Sequence, residues 1–544
     1  MRQSAPGGTD VTVDAEYDNP WGQPISVSYP HRDGAAATSK TYTYDPMGRV
    51  LTEVIPGTGT VSYVYFGNTV TVTDASNKRK KYTHDELGNI SQINEEDSSH
   101  NLTVITTYSY NVLGQLTQII QYGQGGLPNQ TRSFTYDSLG RLTSEAFPES
   151  GTNTYTYDDN GNVLTKTDAR GVVATLTYDA LNRRTGTTFS DGTPSATYSY
   201  DQTTSSLIGL ITNSKGRMTS AWTSDGIGYS WTYDIGGRAT QQVASIDGVQ
   251  YSLGFSYLEQ GCGCAKSDLQ QITYPDSYAI NYGRDAIGRI SSISDSTTTY
   301  ASYYYGAANG SMSGITWRNN INQSFEFDTM GRLSILSTNQ TDGVNNPSVD
   351  WNYSYNQNSQ ISQIDEHVSR SNPIVTEQAQ FSYEYDHLGR LTTAGHATYN
   401  GASFVPDQTN SFSYDQFGNM LTNDLTFPNN PQNNWTSSFN VSASNNRLVS
   451  YTNNQGTTST TYNAAGSMLT EGSRSYAYDG AGRMTSAGPG AGTYRYDALG
   501  RRIKKTYLYQ GQSGTISGNI ISIYGPGGEL LADEPRRAAL GRNA

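Results

Sequence analysis

The chain reads as all-β, a repeat protein in which antiparallel β-hairpins follow one another in a coiled or spiral sheet. Three observations predict this. A short block, aromatic–x–Tyr–Asp–x–x–Gly, returns between residues 42 and 507. Tyr, at 42 residues, outnumbers Phe (13) and Trp (6) together, so tyrosine supplies much of the apolar surface, and aromatic residues favour a pleated, half-buried surface. Helical periodicity is almost absent. The chain is polar, with 34% hydrophobic residues, yet disordered chains are poor in aromatics and this one is rich in them.

The unit is clearest at Tyr155–Leu164. Tyr155 and Tyr157 lie two apart and share one strand face, while Thr154 and Thr156 take the other. Asp158 then opens a four-residue turn that ends at Gly161. An Asp at the first position accepts a backbone hydrogen bond from two residues on, and Gly at the last tolerates positive φ. Pro46, in Asp45-Pro46-Met47-Gly48, sits where a fixed φ near −65° suits the second turn position.

Taken in order, the copies are Tyr44-Asp45…Gly48-Arg49, His84-Asp85…Gly88, Tyr110-Asn111…Gly114, Tyr136-Asp137…Gly140-Arg141, Tyr157-Asp158…Gly161 and Tyr178-Asp179…Asn182. Tyr136, Tyr157 and Tyr178 are each twenty-one apart, and Asn182 replaces Gly as a residue that tolerates the left-handed region. Tyr200-Asp201 keeps the first half but loses the Gly, which predicts a different turn. The pattern resumes at Tyr233-Asp234…Gly237, Asp285…Gly288, Phe327-Asp328…Gly331, Tyr385-Asp386…Gly389 and Tyr414-Asp415…Gly418. Tyr355-Asn356 lacks the Gly. The last copies are Tyr478-Asp479…Gly482 and Tyr496-Asp497…Gly500. These divide the chain into partial leading strands at 1–40, a hairpin spiral at 41–532 that is irregular at 239–283 and 424–461, and a disordered tail at 533–544. The 424–461 stretch, rich in Asn, Ser and Thr, is expected to be surface loops around weaker strands.

About sixteen hairpins of roughly eight-residue arms imply some thirty-two strands, a ribbon on the order of 150 Å around at about 4.8 Å per strand. Such a ribbon is too wide for side chains to fill, so it must coil, enclose a cavity or split into packed sheets.

Net charge is −13, and the longest basic run is Lys78-Arg79-Lys80-Lys81, which argues against nucleic acid. No run of eighteen apolar residues marks a membrane span, and no signal peptide is visible. The leading residues already read as strand, so the chain is expected to be a segment of something longer. Cys262 and Cys264 stand alone, without the ligand set of a metal site, and are expected to be reduced or buried thiols rather than a strained bridge. The six His (31, 84, 100, 367, 387, 396) are scattered. Every repeated Asp falls in the same turn, which marks structure rather than a catalytic carboxylate pair. No catalytic, cofactor or metal residue is expected.

The block resembles the YD repeat of the Rhs family: Tyr-x-Tyr-Asp-x-x-Gly-Arg-Leu at about twenty-residue spacing, over about 90% of the chain. The resemblance implies a spiralling sheet that forms part of a hollow shell, as in Rhs-type polymorphic toxins, wall-associated proteins, toxin-complex shell subunits and teneurins. It implies a secreted or cell-surface location, and as partner an encapsulated polypeptide or the rest of a longer chain. The family's core-end segment, rich in Asp-Pro-x-Gly-Leu, is not found after Tyr524, so self-cleavage does not carry over. Three functions compete: a non-catalytic scaffold, a glycan binder using aromatic faces, and an enzyme using turn carboxylates. In the scaffold reading Tyr44, Tyr136, Tyr157, Tyr178, Tyr385 and Tyr496 stack on cross-strand aromatic neighbours. The arginine after Gly (Arg49, Arg141, Arg332, Arg390, Arg483, Arg501) is then expected to pair with the Asp of the neighbouring unit.

Overall fold

A computed structural model describes residues 2–3, 11–32, 34, 37–258, 268–307, 309–340, 347–371, 374–488, 492–511 and 514–537. Among these, strands follow one another from Arg2–Gln3 to Leu530–Arg537, and the one helical element is a 3-10 turn at Pro431–Asn433. Cys262 and Cys264 lie outside the described residues.

Most strands pair antiparallel with the next one in the chain, so the sheet grows largely hairpin by hairpin; Ala196–Tyr200 instead pairs with Met218–Thr223, past a small inserted hairpin. Gly151–Tyr157 pairs with Val163–Thr167, placing Tyr155 opposite Lys166 and Thr156 opposite Thr165. The register then slips: Tyr157 opposes Val163, leaving Leu164 as an extra residue on the returning strand. The same slip precedes Tyr44, Tyr110, Tyr136, Tyr178, Tyr233, Phe327, Tyr385 and Tyr414. A bulge bends its strand and increases the twist. Its recurrence beside the motif tyrosine therefore builds the same bend into these motif hairpins.

The chain divides into two compact units. The first comprises 1–131, 282–444 and 451–457; the second comprises 132–281, 445–450 and 458–544. In the first, large apolar side chains remain half-buried along the strands, as in Ile90–Glu95 and Leu116–Gln121. In the second, Met218–Thr223, Gly228–Tyr233, Ala239–Ile246 and Val249–Tyr257 bury a dense centre of Ile227, Tyr229, Trp231, Ile246 and Leu253. Ile503, Ile521 and Ile523 are buried as well. Trp231 donates its indole N–H to the Gln242 side-chain oxygen at 2.8 Å, and Gln242 donates to the Tyr524 carbonyl at 2.6 Å. A buried amide thus spends its polar groups inside the core rather than leaving them unpaired.

Three expectations change. The 424–461 stretch is not loop-dominated: Trp435–Val441, Leu448–Asn453 and Gly456–Tyr462 are regular strands, because threonine and alternating aromatics suit a pleated sheet even without the motif. The expected tail at 533–544 begins inside the strand Leu530–Arg537, which pairs with Gly514–Tyr524. Strands also outnumber the expected thirty-two, because hairpins without a complete motif, such as Thr299–Tyr304 with Gly314–Trp317, occupy the same sheet.

Candidate functional site: the repeated turn and its ladder

The residues singled out by the repeat converge on one local structure. At Asp137 the backbone N–H donates to the Arg141 carbonyl, and the Gly140 N–H donates back to the Asp137 carbonyl, both at 3.0 Å. One carboxylate oxygen of Asp137 accepts from the N–H groups of Leu139 and Arg141 at 2.9 Å; the other accepts Arg141 Nε at 2.7 Å. Both lone-pair faces of the acid are therefore used within five residues. The same pattern recurs at Asp45, Asp179, Asp328, Asp386, Asp479 and Asp497. At Asp158 and Asp415 an asparagine amide replaces the guanidinium. These bonds favour the charged form. The backbone N–H and guanidinium of Arg141 hold Asp137 below the usual carboxylate range, and the Asn162 amide does the same for Asp158.

The fourth residue of the turn is left-handed, with φ of 81° at Gly140 and 88° at Gly161. Asn182 (60°) and Ser359 (61°) hold the same conformation without being Gly. Tyr200-Asp201 departs as expected: Asp201 is itself left-handed, its backbone N–H reaches across to Arg217, and the insertion carries a small hairpin, Thr204–Ser205 with Gly209–Leu210.

The arginine differs from expectation. It pairs with the Asp of its own turn, four residues back, because the turn curls its guanidinium onto that carboxylate. Arg183 is a bridging case that meets both Asp179 and Asp201 at 2.7 Å. What the guanidinium reaches in the neighbouring unit is a tyrosine face. Arg141 lies 4.7 Å from the Tyr157 ring centre, Arg332 4.3 Å from Tyr355, Arg390 4.9 Å from Tyr414 and Arg483 4.6 Å from Tyr496. Arg141 and Arg390 also donate to the next turn's Asp carbonyl, Asp158 and Asp415, at 2.7 Å.

The tyrosine closes the link from its far end. Tyr157 OH donates to the Leu142 carbonyl, just past the preceding turn, at 2.6 Å. Tyr178 reaches Val163, Tyr355 Leu333, Tyr385 Ile361 and Tyr496 Met484 in the same way. Where the preceding turn ends in arginine, the hairpin is thereby tied to its predecessor by a stacked cation and a hydroxyl bond as well as by the strand ladder; after Asn162 and Gln360 the hydroxyl bond of Tyr178 or Tyr385 remains without the cation. Ring-on-ring stacking of the motif tyrosines is replaced by this arrangement; Tyr44 does meet a ring, that of Trp21, at 6.5 Å. The ladder runs through units whose motif is incomplete: Arg49 stacks on Tyr65, Arg238 on Tyr257, Arg289 on Tyr305 and Arg501 on Tyr524. The signal that could have found these is simple. Each such tyrosine follows another aromatic or Ser by two positions near a turn, even where the Asp is gone.

Turns at the other end of the hairpins borrow the acid without the tyrosine. Asp74, Asp97 and Asp168 accept the same pair of backbone N–H bonds. Among the described residues no three His, Cys, Asp or Glu side chains gather as a metal site, and no helix is long and apolar enough to cross a membrane.

Two family models match the chain: RHS Repeat over residues 157–194 and Teneurin YD-shell over 365–516. Solved structures share its fold. A crystal structure of TcdB2-TccC3 superposes with a TM-score of 0.77 at 16% identity, over 97% of this chain and 30% of that one. The Tc holotoxin pore of Photorhabdus luminescens gives 0.75 at 16%, over 94% of this chain and 28% of that one. The chain thus spans less than a third of the length of those it matches. No curated protein matches it. The fold and its repeated turn are those of a YD-shell sheet of β-hairpins. Over residues 157–194 and 365–516 the chain is similar to the Rhs and YD-shell repeat families.

Proposed function

We propose that the chain is a non-catalytic section of wall in a hollow shell that encloses a polypeptide, in a secreted or cell-surface protein. The observation that supports this most is where the chemistry goes. The repeated carboxylates are consumed within their own turns, and the guanidinium groups and phenols in joining one hairpin to the next. Asp479 and Asp497 illustrate it. Both line a cavity of about 330 Å³, yet each carboxylate is buried and held by its own turn. General acid–base work needs a carboxyl free to exchange a proton with substrate.

A constellation that invites a catalytic reading is His31 between Asp14 and Ser28. Its Nε2 lies 3.2 Å from Asp14, and its Nδ1 lies 3.0 Å from the Tyr29 carbonyl and 3.4 Å from Ser28 Oγ. With Nδ1 donating to a carbonyl, the nitrogen that faces Ser28 has no lone pair to take its proton, and Nε2 faces Asp14 and Thr12 instead. Glycan binding through tyrosine faces is weakened too, because guanidinium groups occupy ring faces that a sugar needs.

Enclosure is tested by appending a protease-sensitive, unfolded peptide to the chain's C-terminus and comparing its cleavage rate with that of the same peptide free. Protection by the folded chain, lost on unfolding, is the expected result. Cleavage at the free rate would overturn the enclosing role while leaving the wall itself intact.

A further inference from the structure

Most motif turns carry an apolar residue at their third position, and its exposure differs between two runs of hairpins in the first unit. In the later run the turns 356–360, 386–390 and 415–419 rest on the motif-free edge of the earlier run. The Asn358 amide donates to Asp74 Oδ2 at 2.8 Å, Lys78 reaches the Asp386 carbonyl, and the Gln124 N–H donates to Gln416 Oε1 at 3.0 Å. There Leu388 and Phe417 are half-buried. In the earlier run the matching residues stand in solvent. Met47 is 68% exposed, Leu87 76% and Leu113 70%, with Phe66 of the intervening hairpin at 84%. Successive turns on this edge are two strands apart, about 9.6 Å. Side chains at that interval form one apolar ridge rather than the scattered leucines of an ordinary surface.

Inside the unit, then, a motif edge is met by a motif-free edge. The later run leaves a motif-free edge of its own at turns 400–403 and 427–434. It presents Tyr399, 38% exposed with Phe404 5.3 Å away, and the exposed Pro428 and Pro431. We propose that the Met47–Phe66–Leu87–Leu113 ridge docks on this second edge in another copy of the chain, head to tail, repeating between molecules the edge-on-edge contact made within one. Such a contact is heterologous, so it propagates rather than closing at two copies.

Sedimentation velocity over a concentration series tests the assembly. The wild-type chain is expected to sediment faster as concentration rises. Leu87→Glu with Leu113→Glu, and separately Tyr399→Glu, should each stay monomeric. A mixture of the two should form a capped one-to-one dimer, because each variant keeps one intact edge. Val64→Glu, on a strand face of the same sheet, should assemble like wild type. All substituted side chains are exposed, and unchanged thermal unfolding verifies each fold. A wild-type chain that is monomeric throughout, variants that still assemble, a mixture that does not pair, or a Val64 variant that fails equally would each overturn the proposal.

Discussion

The two units are made from one hairpin and hold together differently. In the second, strands between Met218 and Tyr257 enclose side chains with almost no solvent contact: Tyr229, Ile227 and Leu253 are fully buried, and Tyr229 stacks on Trp231 at 5.8 Å, nearly parallel. In the first, the buried apolar residues of the described chain reduce to Ala75 and Ala301. Its strands keep their apolar residues half-covered, and the turn ladder carries the load. Arg501 shows the two modes meeting: it holds Asp497, stacks on Tyr524, and lies 4.8 Å from the buried Tyr229 ring. The repeat is therefore a joint, and it serves strands with few fully buried side chains as well as strands packed over a core.

That contrast can be broken most easily at the core. Leu253→Ala in the second unit should cost about 2–5 kcal/mol, whereas Ile93→Ala, half-buried in the first, should cost about 1–2 kcal/mol. Urea unfolding of both variants measures it, and equal losses would erase the distinction. Next comes the joint itself. Arg501→Ala leaves a buried carboxylate without its cation and should cost about 3 kcal/mol or more. Arg332→Ala, in the more solvated first unit, should cost about 1 kcal/mol, the scale of a cation–π contact with a partly exposed pair.

Acidity should affect both units alike, because the turn is the same. Asp85 in the first unit and Asp137, Asp158 and Asp179 in the second have folded pKa values below their unfolded ones, through backbone and side-chain donors. Their contribution is thus complete above the unfolded carboxylate value and lost as pH falls through the lower folded values. Unfolding followed by circular dichroism should show a steep loss of stability below about pH 4, the unfolded carboxylate range. A flat profile there would argue against the turn acids. At the alkaline end burial pushes Tyr233 up to about 12, so the second unit should lose stability as pH climbs from the unfolded tyrosine value, about 10, through that higher one. The smallest effect is Tyr157→Phe, which removes one hydroxyl bond to the Leu142 carbonyl and should cost about 0.5–1.5 kcal/mol by thermal unfolding.

Much of this was legible in the sequence because a turn is local. Asp137, Gly140 and Arg141 lie within five residues, and their chemistry follows from that spacing. The all-β class and the left-handed Asn182 were readable for the same reason. Contacts between hairpins were harder. Arg141 was expected on a neighbouring carboxylate, but it has one within its own turn, and the ring of Tyr157 lies beyond it. The bulge before each motif tyrosine is invisible in one strand, since register is a property of two. The core of the second unit fell in a stretch that read as irregular at 239–283, although Val243, Ala244, Ile246, Leu253 and Phe255 are dense there. Gly228 belongs with it: a Cβ at that position would meet the Trp222 ring at 2.3 Å. The exposed ridge was spelled out in the third turn position, but exposure depends on which edge another run covers.

The central claim is that a unit whose turn carries the arginine is fastened to the next by that arginine on the following tyrosine. A double-mutant cycle on Arg141→Gln and Tyr157→Leu tests it directly, with Tyr178→Leu, one unit further on, as the comparison. The ladder predicts a coupling of about 0.5–1 kcal/mol between Arg141 and Tyr157 and additivity with Tyr178. Additivity in both pairs would contradict it.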